Sequence, residues 1–83
     1  MKLTVRYFAS VRETVGQSEE ALETNATTLA QVRDQLIARG GVWAQALGRE
    51  RAVRAALDHT LCDESQALHE GCEVAFFPPV TGG

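Results

Sequence analysis

Apolar and polar residues alternate from the start of the chain. Between Lys2 and Ala9, Leu3, Val5 and Tyr7 fall on one side of an extended backbone and Thr4, Arg6 and Phe8 on the other, the two-residue period of a strand with one buried face. Phe8 is therefore expected on the wetter face. A polar stretch with Arg12, Glu13 and Gly16 follows. Gly16, Gln17 and Ser18 supply a turn signal ahead of the run EEALET, so the pattern predicts a β-hairpin with a weak second strand. The period then changes. Thr28 and Gln31 stand at capping-box spacing, Leu29, Val32 and Leu36 recur at helical intervals, and Gly40 and Gly41 end the run after Arg39, which predicts a helix. Trp43, Ala46 and Leu47 predict a short helical turn that packs its indole on the core, followed by a solvated charged loop at Arg49, Glu50 and Arg51. AVRAAL and EVAFF read as further strands. The turn-rich stretch between them holds one very short strand around Leu61 and Cys62.

The order strand, strand, helix, strand, short strand, strand places the chain in the α+β class. It fits a mixed sheet wrapped across one main helix, the β-grasp arrangement of ubiquitin-like proteins. With 83 residues the chain closes one modest core and has no room for a separate catalytic lid. The expected organisation is a β-grasp domain over 1–77 and an extended C-terminal tail over 78–83, the only stretch with linker character.

Composition narrows the partners. A hydrophobic fraction of 45% with 23% charged residues describes a globular chain rather than a disordered one. Eight Lys and Arg against eleven Asp and Glu, a net charge of −3, disfavour nucleic acid, whose phosphates need clustered cations. No apolar run is long enough to span a bilayer, and MKLTVRYF alternates instead of building a signal-peptide core, so a cytoplasmic protein that does not engage membranes is expected. Cys62 and Cys72 lack CxxC spacing, and both are expected to be half-buried apolar side chains with no disulfide or metal role.

Few residues offer chemistry. No GxSxG marks a nucleophilic serine, and His59 and His69 lack HExxH or any Cys/His ligand spacing, so they are expected at the surface and not on a metal. Gly40, Gly41 and Gly48 form no phosphate cradle, and Asp63 with Glu64 reads as a solvated surface. No cofactor bound by this chain is expected. What remains is the closing octapeptide FFPPVTGG. Phe76 and Phe77 end a strand, Pro78 and Pro79 hold an extended backbone without donors, and Val80 and Thr81 continue outward. Gly82 and Gly83 have no Cβ and can enter a channel too narrow for other residues. An α-carboxyl group, with a reference pKa of roughly 3.3 to 3.7, is ionised at neutral pH and can attack the α-phosphate of ATP. The resulting adenylate is open to sulfur or an amine.

FFPPVTGG together with YFASVRETVG resembles the small subunits of molybdopterin synthase, a family of ubiquitin-like sulfur carriers, and the resemblance runs the length of the chain. It departs at Asp58, where the family often has Asn, and at Glu70 to Val74, where EGCEV replaces an Asp-Gly-Asp-Glu-Val turn. The resemblance implies that an E1-like adenylyltransferase adenylates Gly83 with ATP and that a persulfide sulfur donor enzyme converts it to a thiocarboxylate. The tail then threads into the large subunit of the synthase and gives its sulfur to cyclic pyranopterin monophosphate. Two carriers serve each dithiolene, in a heterotetramer with two of each subunit. The pterin site and its acids and bases belong to the large subunit. The resemblance further implies an apolar docking patch of Phe8, Leu61 and Phe77, with Pro78, Pro79, Val80 and Thr81 completing the partner-binding segment, although the residues alone place Leu61 and Phe77 equally well in the core. A thiamine-pathway sulfur carrier and a ubiquitin-like modifier that forms isopeptide bonds through Gly83 share this chemistry as far as the adenylate. Redox or sulfur chemistry at Cys62 or Cys72 competes with inert packing there.

Overall fold

A computed structural model describes residues 1–79. Its elements run β1 (Lys2–Tyr7), α1 (Ala9–Val15), β2 (Glu19–Glu23), α2 (Leu29–Ile37), α3 (Val42–Leu47), β3 (Arg54–Leu57), β4 (Thr60–Cys62) and β5 (Glu73–Phe77). The five strands form one sheet in the order β2-β1-β5-β3-β4. The two central strands, β1 and β5, are parallel, and every other neighbouring pair is antiparallel. This is the β-grasp fold, with α2 as the helix the sheet holds.

The alternation in β1 does what its period dictates. Leu3, Val5 and Tyr7 are buried together with Val74 and Phe76 of β5, and Leu29, Val32 and Leu36 of α2 close over them. Burying each such side chain contributes about 1.5 to 3 kcal/mol, which makes this layer the main source of stability. The start of α2 is capped by the Thr28 hydroxyl, which accepts from the Gln31 amide. The return half of the box is shifted by one residue, because Gln31 Oε1 accepts from the Thr27 amide at 2.6 Å. Beyond α2, the Trp43 ring packs on Tyr7 with centroids 5.5 Å apart, while Ala46 and Leu47 are buried. The strands over Arg54–Leu57, Thr60–Cys62 and Glu73–Phe77 lie where their patterns place them.

Three expectations need correction. The turn foreseen at Gly16 is the end of a helix. After β1, Ala9 adopts a left-handed φ of 50° and the chain enters α1, which buries Val11. Gly16, at φ 84°, is the left-handed C-cap whose N–H donates to the Arg12 carbonyl. β1 and β2 still pair antiparallel, so α1 is carried between them. Second, the segment at Arg49 to Arg51 is exposed yet tied down: Arg49 donates to Asp34 at 2.7 Å and to Glu64 at 2.6 Å, and Arg51 Nε donates to the Gln45 carbonyl at 2.8 Å. Glu64, read as a solvated carboxylate, also accepts from Arg33 at 2.7 Å. Arg33 is buried on α2 and donates to the carbonyls of Leu47 and Gly48 at 2.7 and 2.8 Å, fixing the α3–β3 connection to the helix. Third, Cys62 is half-buried but Cys72 is wholly enclosed, because the turn before β5 points its side chain into the core; both are free thiols. Among the described residues no helix is long and apolar enough to cross a membrane.

Candidate docking face and tail root

The side of the sheet away from α2 has no covering element of its own among the described residues, and strand register decides what it shows. On β5, Val74 and Phe76 point into the core, so Glu73, Ala75 and Phe77 point outward. Residues paired directly across strands share a face. Arg6 of β1 pairs with Ala75, Ala75 with Ala56 of β3, and Ala56 with Leu61 of β4, which makes one row across the open face. The next row toward the end of β5 holds Phe77 and its partner Arg54. The Phe8 N–H donates to the Phe76 carbonyl at 3.1 Å and continues the parallel ladder one step beyond β1, so Phe8 stands beside Phe77. Phe8 thus faces outward, as its parity requires, although it lies past the strand as the residue before α1.

The small side chains of Ala75 and Ala56 form the floor of this strip, and the large ones rise from its margins. Leu61 is 55% exposed and Phe8 39% exposed. Phe77 and Pro78 are half-buried, and Pro79 is exposed. The third large apolar side chain at the surface, Val42, lies away from the strip on α3. Leu61 is therefore an edge-strand surface residue and not core. Phe8, Leu61 and Phe77 share one face, with Pro78 leaving directly from its Phe77 end. A hollow of about 290 Å³, bordered by Val11, Thr14, Ala46, Val53 and Pro78, opens at this root of the tail. Val80, Thr81, Gly82 and Gly83 lie outside the described residues.

Two arginines flank the strip, and the sequence placed only one of them, Arg6, on this face. The Arg6 guanidinium lies 5.3 Å from the Phe8 ring centroid, and its nearest anion is Glu73 at 3.7 Å. Its Nε is buried without a hydrogen-bond partner. The locator for Arg54 is the Phe77–Arg54 register, which depends on a pairing the sequence does not display.

The other chemical candidates resolve into structural roles. Asp58 and His59 both adopt left-handed φ, 48° and 71°, and make the tight turn between β3 and β4. The Asp58 carboxylate accepts from the Glu73 amide at 2.9 Å and contacts His69 Nε2 at 2.6 Å, which stitches this turn to the start of β5. The Glu73 amide, then the His69 contact, hold Asp58 below the usual carboxylate range, and Asp58 raises His69. Both histidines are exposed. No group of three or more His, Cys, Asp or Glu able to hold a metal ion occurs among the described residues. Burial pushes the Cys62 thiol up, away from the thiolate a sulfur nucleophile needs.

Topology and open face together define a class, a ubiquitin-like β-grasp domain whose exposed apolar strip lies at the base of its C-terminal segment. The chain matches the ThiS family over residues 5–83 and belongs to that family. It is 41% identical over 81 residues to the molybdopterin synthase sulfur carrier subunit of Haemophilus influenzae, covering 98% of this chain and 99% of that protein. Identity to the molybdopterin synthase sulfur carrier subunit of Escherichia coli is 40% over 81 residues, with the same coverage. Among solved structures it aligns over 100% of both chains, at 25% identity and a TM-score of 0.71, with a chain from the protein–protein complex of subunits 1 and 2 of the molybdopterin-converting factor of Helicobacter pylori.

Proposed function

We propose that this chain is the sulfur carrier subunit of a molybdopterin synthase and that it works through the carboxyl group of Gly83. The observation that carries the reading is spatial: the last strand ends at Phe77 within the exposed apolar strip, so a partner that covers the strip also receives whatever follows Pro78. The cycle begins when the Gly83 carboxylate attacks the α-phosphate of ATP on an E1-like adenylyltransferase, releasing pyrophosphate. A protein persulfide displaces AMP to give an acyl disulfide. A thiol then cleaves it, leaving the thiocarboxylate on Gly83 and a disulfide on the donor side. In the large subunit the thiocarboxylate gives its sulfur to cyclic pyranopterin monophosphate, and water returns the oxygen to Gly83. The carrier binds no cofactor, and the acids and bases of the pterin site are the partner's.

Energetics suit a reversible carrier. Full burial of a side chain of this kind contributes roughly 1.5 to 3 kcal/mol, and Phe8, Leu61 and Phe77, already partly covered, each add only a fraction of that, against an association cost of about 4 to 15 kcal/mol. The strip alone gives weak binding, and the tail adds the rest, so each partner can be left for the next.

Intact-mass measurement after incubation with ATP, the adenylyltransferase and a persulfide donor is the direct test. Replacement of one oxygen by sulfur at Gly83 is expected, and deletion of Gly83 should abolish it without changing the thermal midpoint. An unaltered mass, with the adenylyltransferase shown to load another carrier, would overturn the reading. Rescue of a thiamine auxotroph but not a molybdenum-cofactor auxotroph would move the chain to the other sulfur pathway.

A further inference from the structure

The arginines divide into two groups by what they do. Arg33, Arg39, Arg49 and Arg51 each donate side-chain hydrogen bonds within the domain. Arg6, Arg12 and Arg54 donate none to any described residue, and Arg12 lies exposed on α1. Arg6 has only the 3.7 Å approach to Glu73, an anion that His59 also faces at 3.4 Å, and Arg54 has no ion pair among the described residues. A guanidinium carries five N–H donors in a planar fork suited to carboxylates. Of these three arginines, Arg6 and Arg54 stand on the open face of the sheet. Arg6 stands in the row between Ala75 and Glu19, its partner on edge strand β2, and Arg54 lies beside Phe77 in the adjoining row. The chain as a whole is acidic, at −3, so this placement runs against its net charge.

An apolar strip alone would accept any apolar partner. Two cations beside it, Arg6 with only a long 3.7 Å ion pair to Glu73 and Arg54 with none among the described residues, add a condition. A partner surface lacking anions there would desolvate both guanidinium groups with little compensation and offset part of what the apolar contact returns. A partner with carboxylates opposite both would gain charge-assisted hydrogen bonds and faster encounter. No hydrogen bond fixes the Arg6 guanidinium, which is held by its stacking on Phe8 and the long ion pair with Glu73, so a partner carboxylate can compete for it.

We propose that Arg6 and Arg54 are the charge-selective elements of the docking face, and that the large subunit of the synthase presents a carboxylate to each at the margins of the apolar pocket that takes Phe8, Phe77 and Leu61. This rests on the carrier reading above and names how that surface chooses its partner.

The test measures association and dissociation rates with the large subunit from the same genome, at low and high salt, for the wild-type carrier and for R6E, R54E, the double variant, F8A and K2E. Lys2 is exposed on the same strand as Arg6 but six residues from the strip's Phe8 end, so K2E makes a charge change of the same sign away from the site. Wild-type association is expected to slow as salt rises. The double variant should associate at least about tenfold more slowly at low salt and lose most of the salt dependence, with K2E close to wild type and F8A acting mainly on dissociation. R6Q and R54Q, which remove charge without adding repulsion, should fall between wild type and reversal. If F8A weakens binding while R6E and R54E bind like wild type, or slow no more than K2E, the charge-selective role is overturned and the carrier reading stands. If no variant including F8A alters binding, the docking face itself is wrong. Thermal midpoints matching wild type separate these outcomes from misfolding.

Discussion

On the helix side of the sheet, Leu3, Val5, Tyr7, Val74 and Phe76 are sealed beneath α2, and the one polar tip among them is accounted for. The Tyr7 hydroxyl donates to Glu20 at 2.9 Å, and Arg39 grips the same carboxylate from outside at 2.8 Å. Burial and the Glu20 carboxylate raise the phenol's pKa, while Arg39 holds Glu20 below the usual range. On the opposite side of the same strands, Leu61, Phe77 and Phe8 remain in contact with water and Arg6 and Arg54 donate nothing. Alternation along one β-strand serves both sides. The difference teaches that one face of this sheet is a core already assembled, while the other keeps large apolar side chains at the surface, the face proposed above to dock a partner.

Neighbouring phenylalanines on β5 offer the sharpest way to break that comparison. Phe76→Ala removes a fully buried ring and should cost about 3 to 5 kcal/mol in urea denaturation, a large share of the stability of a domain this size. Phe77→Ala, one residue later and on the other face, should cost about 1 kcal/mol or less while weakening binding of the large subunit at least about tenfold. Equal losses of stability in the two variants would mean that the faces are not functionally divided. The smallest effect belongs to the turn at the far rim of the open face. His69 is raised by Asp58, so its contribution is complete below its unfolded pKa of about 6.5 and is lost as pH rises through the folded value. Asp58 is lowered, so its share is present above about 3.9 and lost as pH falls through its folded value. The urea midpoint should therefore be slightly higher near about pH 5.5 than near about pH 8.5, and H69Q should reduce the difference. An unchanged pH response in H69Q would show that the contact contributes nothing, as exposed pairs often do.

What could be read from the chain alone follows the range of the interactions involved. Leu3, Val5 and Tyr7 repeat every second residue, and Thr28 with Gln31 caps a helix within a single turn, so both elements are visible in a short window. α1 escaped because its start carries no side-chain cap, it buries only Val11, and its terminating glycine has the same conformation a hairpin turn uses. The buried Arg33 escaped for another reason: its partner Glu64 is 31 positions away, and nothing local distinguishes a clamped arginine from a solvated one. The proposed docking face lies between these cases. Parity along β1 set Phe8 outward, whereas its adjacency to Phe77 and Leu61 depends on strand pairings that only the fold supplies.

The parallel pairing of β1 with β5 has a consequence for how the molecule is made. Residues 4 to 7 find their partners at residues 73 to 76, so the strand that completes the centre of the sheet is translated after every other described element. Until it has left the ribosome, β1 has a vacant edge, and β3 and β4 have nothing to join. Contacts this distant in sequence form late and slowly. A chain interrupted before β5 cannot complete the sheet, so the proposed docking face exists only on polypeptides synthesised at least as far as Phe77.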